Sequence, residues 1–380
     1  MIRRILNSRL PLMVYNPVKV FDVKYFKEIS SAGALPVFDT EFLTHDDILQ
    51  NAALLSREKF SFGIRLSTHD HELINKIRNQ QMINLDLLIT PLTKDDTPSD
   101  FTNFAETKIA IEIKDININD KIKEICPHAL ILKGNEAGGK VSRYSSFILM
   151  QWYLKNSELP IFIHGGVGKY TAAGMFAAGV SGLVMDSQLL MTDEAPVSEN
   201  FKKLLAMVDE SDSTEITYDG SDIYRVFAKL GTKIVKELKI AAVEVGVDPQ
   251  GKYKVYESIK THYTSFDKQD VQFIQSLFYL GQDGVFAKDF VKDATGLTQV
   301  ISNFFKTIGE NLNFIDAFDP VKPGSPFAKD QGTKFPLIQG PMANISDNAQ
   351  FANKVLEQGA LPFFAVGSLP EQLADNMLKD

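Results

Sequence analysis

Pro160-Ile161-Phe162-Ile163-His164-Gly165-Gly166-Val167-Gly168 is a short apolar run that stops at glycines. A segment of helical period, Tyr170–Ala178, follows it, and then a second run, Gly182–Ser187. Run, glycine turn, helix and run together read as a βαβ unit with parallel strands. Upstream the same pattern recurs. Strand-like runs fall at Leu10–Tyr15, Ala34–Phe38, Phe60–Leu66, Leu85–Thr90, Lys108–Ile113 and Ala129–Lys133. Helix-like stretches lie between the runs, among them Phe21–Ser31, Asp46–Ser56, His69–Asn79 and Ser145–Lys155. Some runs are apolar on both faces, as in Leu85-Asp86-Leu87-Leu88-Ile89, which suits a sheet covered on both sides. Eight such runs in about 200 residues fit an α/β fold, a closed (β/α)8 TIM barrel, better than an open doubly wound sheet.

The pattern changes after residue 210. Ser211-Asp212-Ser213-Thr214 reads as a polar loop, and Ile223–Leu238, Lys268–Tyr279 and Asp293–Leu312 read as helices. Residues 1–210 are therefore expected to form the barrel, and 211–318 a mainly helical annex. A linker spans 319–333, where the three prolines of Asp319-Pro320-Val321-Lys322-Pro323-Gly324-Ser325-Pro326 cannot continue a helix. Then an early stretch returns. Leu10-Pro11-Leu12-Met13, Phe26 and Gly33-Ala34-Leu35-Pro36-Val37-Phe38 recur as Phe335-Pro336-Leu337-Ile338, Phe351 and Gly359-Ala360-Leu361-Pro362-Phe363-Phe364. Residues 334–380 thus read as the incomplete start of a second similar barrel, and the chain as the front of something longer.

Composition narrows the function. Of 380 residues, 44% are hydrophobic and 23% charged, enough to bury a full core. A net charge of −8 argues against nucleic acid as the main partner. One cysteine, Cys126, excludes an intrachain disulfide framework and suits a reducing cytosol. The basic start, Arg3-Arg4, is followed by Asn7, Ser8 and Arg9, so no signal-peptide core forms. The most apolar stretch, Ala172–Met185, is too short and too rich in glycine to span a bilayer. A soluble cytoplasmic protein, with no membrane partner, is the expectation.

In a barrel, chemistry belongs to the C-terminal ends of the strands. Three stretches stand there: Lys133-Gly134-Asn135-Glu136-Ala137-Gly138-Gly139-Lys140, His164-Gly165-Gly166-Val167-Gly168 and Asp186-Ser187-Gln188. Glycines at strand ends let backbone N–H groups approach an anion. The Gly165-Gly166 turn is either a cradle for a cofactor phosphate or simply a tight strand-to-helix turn. Gly168-Lys169 lacks the Ser or Thr of a P-loop, and Thr171 replaces the third glycine of a dinucleotide fingerprint. His69-Asp70-His71-Glu72 has the composition of a metal site but follows Ser67-Thr68 at a helix start, where such residues cap the backbone. No metal is assigned.

The three stretches, with Gly179-Val180-Ser181-Gly182-Leu183-Val184-Met185, resemble the FMN barrel of nitronate monooxygenases (2-nitropropane dioxygenases) and of the related trans-acting enoyl reductases. Tyr279-Leu280-Gly281-Gln282-Asp283 resembles the Gly-Gln element of that family's helical region, and Phe335–Ala343 its first strand and loop. A tandem pair of such barrels looks like the N-terminus of giant bacterial polyketide synthase-like proteins. The resemblance implies an FMN-dependent oxidoreductase. Gly165, Gly166 and Ser187 would hold the phosphate, with His164, Asp186 and Gln188 beside it. Glu136, Gly138 and Gly139 would wall the flavin ring, and Lys140 would face a small-molecule or carrier-bound acyl substrate, with Lys140 and Glu136 as catalytic candidates. Downstream synthase modules of the same chain are the implied partners. The chain departs from the family at several points. Lys140 stands where the monooxygenases carry a histidine, Asp186-Ser187 replaces Gly-Thr, Tyr15-Asn16-Pro17 replaces Gln-Gly-Pro-Met, and Arg65 replaces an Asn. These changes open the alternative, a flavin-free degenerate barrel acting as a docking or structural module.

Overall fold

The computed structural model describes residues 5–379 apart from 93–95, 103, 105, 219–221, 230, 231, 246, 247, 270, 272–274 and 320. The chain divides into two compact units, residues 1–309 and 310–380.

The first unit opens with strands and helices in alternation: β1 (Leu12–Tyr15), α1 (Val23–Ala32), β2 (Leu35–Asp39), α2 (His45–Leu55), β3 (Phe62–Arg65), α3 (His71–Asn79), β4 (Leu85–Pro91), β5 (Lys108–Ile113), α4 (Asn119–Ile125) and β6 (Ala129–Lys133). After these come β7 (Gly139–Val141), α5 (Ser146–Asn156), β8 (Ile161–His164), α6 (Ala172–Ala178), β9 (Gly182–Met185) and α7 (Glu199–Ala206). Every strand but β7 joins one closed parallel barrel, in the order β1-β2-β3-β4-β5-β6-β8-β9. The ring closes where β9 pairs with β1, Leu183 opposite Leu12 and Val184 opposite Met13. This is the expected (β/α)8 architecture.

Side-chain alternation fills the ring. Met13 and Tyr15, Leu35 and Val37, Leu87 and Ile89, Ala129 and Ile131 are buried pairs two residues apart within one core cluster, with Phe162 and Val184. The other faces of these strands meet the helices. The helices start where their sequences say they should. Asp22 caps α1 by accepting from the Lys24 amide, and α1 ends on Gly33 with a left-handed φ of 95°. Thr44 and Asp47 form a reciprocal capping box on α2.

The annex, expected to be mainly helical, contains strands at its start. It opens on a hairpin, β10 (Ser213–Tyr218) and β11 (Asp222–Phe227), whose second strand pairs antiparallel with β7, Tyr224 opposite Lys140 and Arg225 opposite Gly139. Ile223–Leu238 is therefore not one helix: β11 takes its first part, and helix α8 (Lys233–Val245) its last. Of the polar loop expected over Ser211–Thr214, Ser213 and Thr214 instead begin β10, which alternates and buries Ile216 fully. Helix α9 (Pro249–His262) follows. Over Lys268–Tyr279 the described residues are not helical. Leu277 bridges to Tyr263, and the Phe278 carbonyl accepts from the Phe227 amide at 3.1 Å. Phe201, Phe266, Phe227 and Phe278 stack there, so aromatic packing overrides the helical period. A short helix α10 (Ala287–Phe290) and the long α11 (Leu297–Phe318) complete the annex.

The second unit contains α12 (Pro326–Asp330), β12 (Ile338–Gln339), α13 (Ala349–Glu357), β13 (Leu361–Pro362) and α14 (Glu371–Lys379). Its two strands pair in parallel, Ile338 opposite Leu361, as β1 pairs with β2. Among the described residues no helix is long and apolar enough to cross a membrane.

Candidate active site at the barrel mouth

The C-terminal ends of β1, β2, β3, β6, β8 and β9 surround a cavity of about 40 Å³. Charged groups plug one side of it. Arg65, at the end of β3, is 1% exposed. Its Nε donates to Glu112 at 2.7 Å and its Nη2 to the same carboxylate at 3.1 Å, while Nη1 donates to Asp39 at 3.0 Å and to Glu41 at 3.2 Å. Lys114 donates to Glu112 Oε1, the oxygen that also accepts from Arg65 Nη2, and Lys133, from the end of β6, is buried beside them. Burial alone would raise the Glu112 carboxyl, but Arg65, Lys114 and Lys133 together hold it well below the carboxylate range. Burial also pushes the Lys114 ammonium down to about 8, with Arg65 and Lys133 acting in the same sense and Glu112 against.

Aromatic rings close the other side. Tyr15 meets His164 edge to face, with ring centres 5.1 Å apart. Tyr263 and Tyr279 pack at 5.1 Å, and the Tyr279 hydroxyl donates to Glu41 at 3.1 Å. The Tyr15 hydroxyl, the Tyr263 hydroxyl and His164 Nδ1 are buried without a hydrogen-bond partner, and all three residues line the cavity. Its volume suits water, which needs roughly 10–15 Å³ per molecule and polar neighbours.

The double-glycine turn has the backbone form expected of an anion cradle. Gly165 and Gly166 hold left-handed φ values of 107° and 70°, open to glycine without strain. Its amides are already engaged. Gly166 N–H donates to Asp283 Oδ1 at 3.1 Å, and the Val167 amide also reaches that carboxyl. Gln188 Nε2 donates to Asp283 Oδ2 at 3.1 Å and to the Val167 carbonyl at 3.1 Å, while its Oε1 accepts from the Asp186 amide at 3.0 Å. The Ser187 amide donates to Asp186 Oδ1, and His164 Nε2 meets Asp186 Oδ2 at 3.0 Å. Burial, and then the charges of Asp186 and Glu136, raise the Asp283 carboxyl well above its ordinary value. Burial would raise Asp186 too, but His164 and the Ser187 amide bring it below the ordinary range. One carboxyl is thus favoured as the acid and its neighbour as the anion.

These placements sort the residues singled out from sequence. His164, Gly165, Gly166, Asp186, Ser187 and Gln188 come together at the turn, as the resemblance implied, but the amides of Gly166 and Ser187 serve the chain's own carboxyls. In this structure those amides meet Asp283 and Asp186 where the resemblance assigned them a phosphate. Glu136 accepts from the Ser146 amide at 2.9 Å and so binds the start of α5. A Cβ on Gly138 would lie 3.1 Å from the Gly281 amide nitrogen, and one on Gly139 2.8 Å from the Tyr279 ring. The annex thus fills the wall assigned to a flavin ring. Lys140 does not line the mouth. It pairs with Asp222 and borders a separate hollow of about 230 Å³ with Tyr224, Tyr253 and Tyr256. An isoalloxazine with its phosphate needs several hundred Å³, so the mouth as folded does not fit FMN. Sequence reasoning missed Asp283, Tyr15, Tyr263 and the partners of Arg65. They lie on distant segments; in the sequence Tyr15 and Asp283 stand out only as parts of the Tyr15-Asn16-Pro17 loop and the Gly281-Gln282-Asp283 element, not as residues of one site.

Residues 89–274 match the family model for nitronate monooxygenase. Among solved structures, FabK from Thermotoga maritima superposes with a TM-score of 0.68 at 15% identity, over 83% of this chain and 97% of that one. A nitroalkane oxidase from Streptomyces ansochromogenes follows at 0.61 and 14%, covering 81% and 98%. The enoyl reductase domain of MlnA, from the macrolactin biosynthesis cluster of Bacillus amyloliquefaciens, follows at 0.60 and 11%, covering 81% and 96%. No curated protein matches the chain. The barrel fold is thus shared with a nitroalkane oxidase and an enoyl reductase domain, and its middle part matches the nitronate monooxygenase model.

Proposed function

We propose that this barrel keeps the fold of the nitronate monooxygenase and enoyl reductase group without its flavin, and serves as a docking or structural module of a polyketide or fatty acid synthase-like enzyme. One observation carries the reading. The Asp283 carboxyl, from the annex, sits on the Gly166 amide, where a cofactor phosphate would otherwise bind. The small mouth cavity and the aromatic wall agree with it. The synthase setting draws its support from the likeness to the MlnA domain and from the repeated opening at 334–380.

A second reading, an FMN-dependent oxidoreductase acting on a small or carrier-bound acyl substrate, is favoured by the family match over 89–274. It requires Asp283 and Asp186 to leave the amides and Tyr279 to leave Gly139. The absorbance spectrum of the purified chain, before and after incubation with FMN and desalting, separates the two. A colourless protein that retains no flavin supports the first reading. A stoichiometric flavin band overturns it in favour of the second.

A further inference from the structure

His69, Asp70 and His71 bridge the end of β3 and the start of α3. Asp70 is extended, with φ −138° and ψ 101°, so its neighbours on either side project the same way. Asp70 itself turns back. It accepts from the Leu73 amide at 2.9 Å and pairs with His45 Nε2 at 2.8 Å. Both imidazoles face Asp96, a fully buried residue from the loop after β4. His69 Nε2 lies 3.3 Å from Asp96 Oδ1 and His71 Nε2 lies 3.9 Å from it. One ligand atom from each of the three residues falls within 4.8 Å of the others.

The outer nitrogens are held as a metal site requires. The Thr90 hydroxyl lies 3.1 Å from the Pro91 carbonyl, to which it can donate, and 3.3 Å from His69 Nδ1, from which it can then accept. With the proton on Nδ1, given to the Thr90 hydroxyl, Nε2 carries a lone pair. This atom is buried, has no hydrogen-bond partner, and points at a carboxylate oxygen. His71 Nδ1 stands 3.3 Å from Asp100 Oδ1, a carboxylate–histidine pair of the kind that orients and strengthens a ligating imidazole. A lone-pair nitrogen aimed at a buried carboxylate oxygen, with a second imidazole nitrogen beside them, is a geometry that a cation can bridge.

We propose that His69 Nε2, His71 Nε2 and the Asp96 carboxylate bind a divalent transition metal of the zinc class, with the fourth position open on the half-exposed His71 side. Two imidazoles and one carboxylate suit zinc rather than magnesium or calcium. Zinc bonds of about 2.0–2.1 Å space tetrahedral ligand atoms about 3.4 Å apart, so the present 3.3 and 3.9 Å need little adjustment. A helix start accounted for these residues in the sequence alone; Asp96 was the partner that reading lacked. The site lies outside the mouth cavity and stands apart from the flavin question.

The test is titration of the full, chelator-treated chain with Zn²⁺ against a chromophoric competitor, with thermal melts alongside. One equivalent should bind and raise the melting temperature. His71→Ala should weaken binding at least tenfold, and Asp100→Asn roughly tenfold or more. His262→Ala, an exposed histidine elsewhere, should change neither. Absence of stoichiometric binding would overturn the proposal, leaving His69 and Asp96 as a proton-sharing pair. Binding that His71→Ala leaves intact would overturn it equally. Because His71 is half exposed, that variant should fold, which its melt in chelator verifies.

Discussion

Arg65→Met removes the guanidinium while keeping most of the side chain's length. Five charged hydrogen bonds disappear, to Glu112 at 2.7 and 3.1 Å, to both oxygens of Asp39 at 3.0 Å and to Glu41 at 3.2 Å. Taken singly at about 1.5–3 kcal/mol each they would account for most or all of a typical domain's stability. They share one group, and the stranded carboxylates recover part of the loss by taking up protons. The appropriate scale is that of a buried ion pair broken on one side, roughly 3–5 kcal/mol at pH 7. Glu112 supplies the sign of the pH dependence. Its folded-state pKa is depressed, so its contribution is present above the ordinary carboxylate value near 4.3 and lost as pH falls below it. The difference between wild type and variant should therefore shrink in acid. Urea denaturation followed by circular dichroism at pH 7 and pH 4 measures both. The double variant Arg65→Met with Glu112→Gln should recover about 1 kcal/mol or more relative to the single variant. A loss under about 1 kcal/mol at pH 7, or a double variant weaker than the single one, would refute the claim that the mouth is plugged by a buried ionic network.

The Asp283 carboxyl is raised in the folded chain, so its contribution to stability is complete below about pH 4 and declines as pH rises toward the folded value. Asp283→Asn lacks that titration, so from pH 5 to pH 9 wild type should lose stability relative to the variant; parallel pH profiles in urea denaturation would contradict this. Gly139→Val places a branched side chain at φ 76° with its Cβ 2.8 Å from Tyr279, and should cost about 2 kcal/mol or more in the same assay. A Gly139→Val chain as stable as wild type would mean that Tyr279 does not press on the β7 loop.

The barrel was legible because each strand carries its own signal. Runs such as Leu85–Thr90 are apolar on both faces, and Gly33 and Gly179 mark helix ends with left-handed backbone. The hairpin was not, because Ser213–Tyr218 is half polar and β11 merges with α8 in a single apolar pattern. The Gly165-Gly166 turn and the Asp186-Ser187-Gln188 loop could be placed from sequence, since strand ends in a barrel converge. Their occupant could not. Asp283 reaches Gly166 across 117 residues of chain, and no local pattern reports such a contact. Asp96 likewise reaches His69 only once β3 and β4 pair. Lys140 shows the opposite error: adjacency to Gly138-Gly139 suggested a place in the mouth, but strand pairing with Tyr224 directs it to Asp222.

The claim that the chain occupies its own anion cradle is tested most directly by a crystal structure grown in excess FMN. Density for the Asp283 carboxyl on the Gly166 amide, with Tyr279 against Gly139 and no flavin at the mouth, is the expected result. A riboflavin phosphate seated on Gly165, Gly166 and Ser187, with Asp283 turned away, would contradict it.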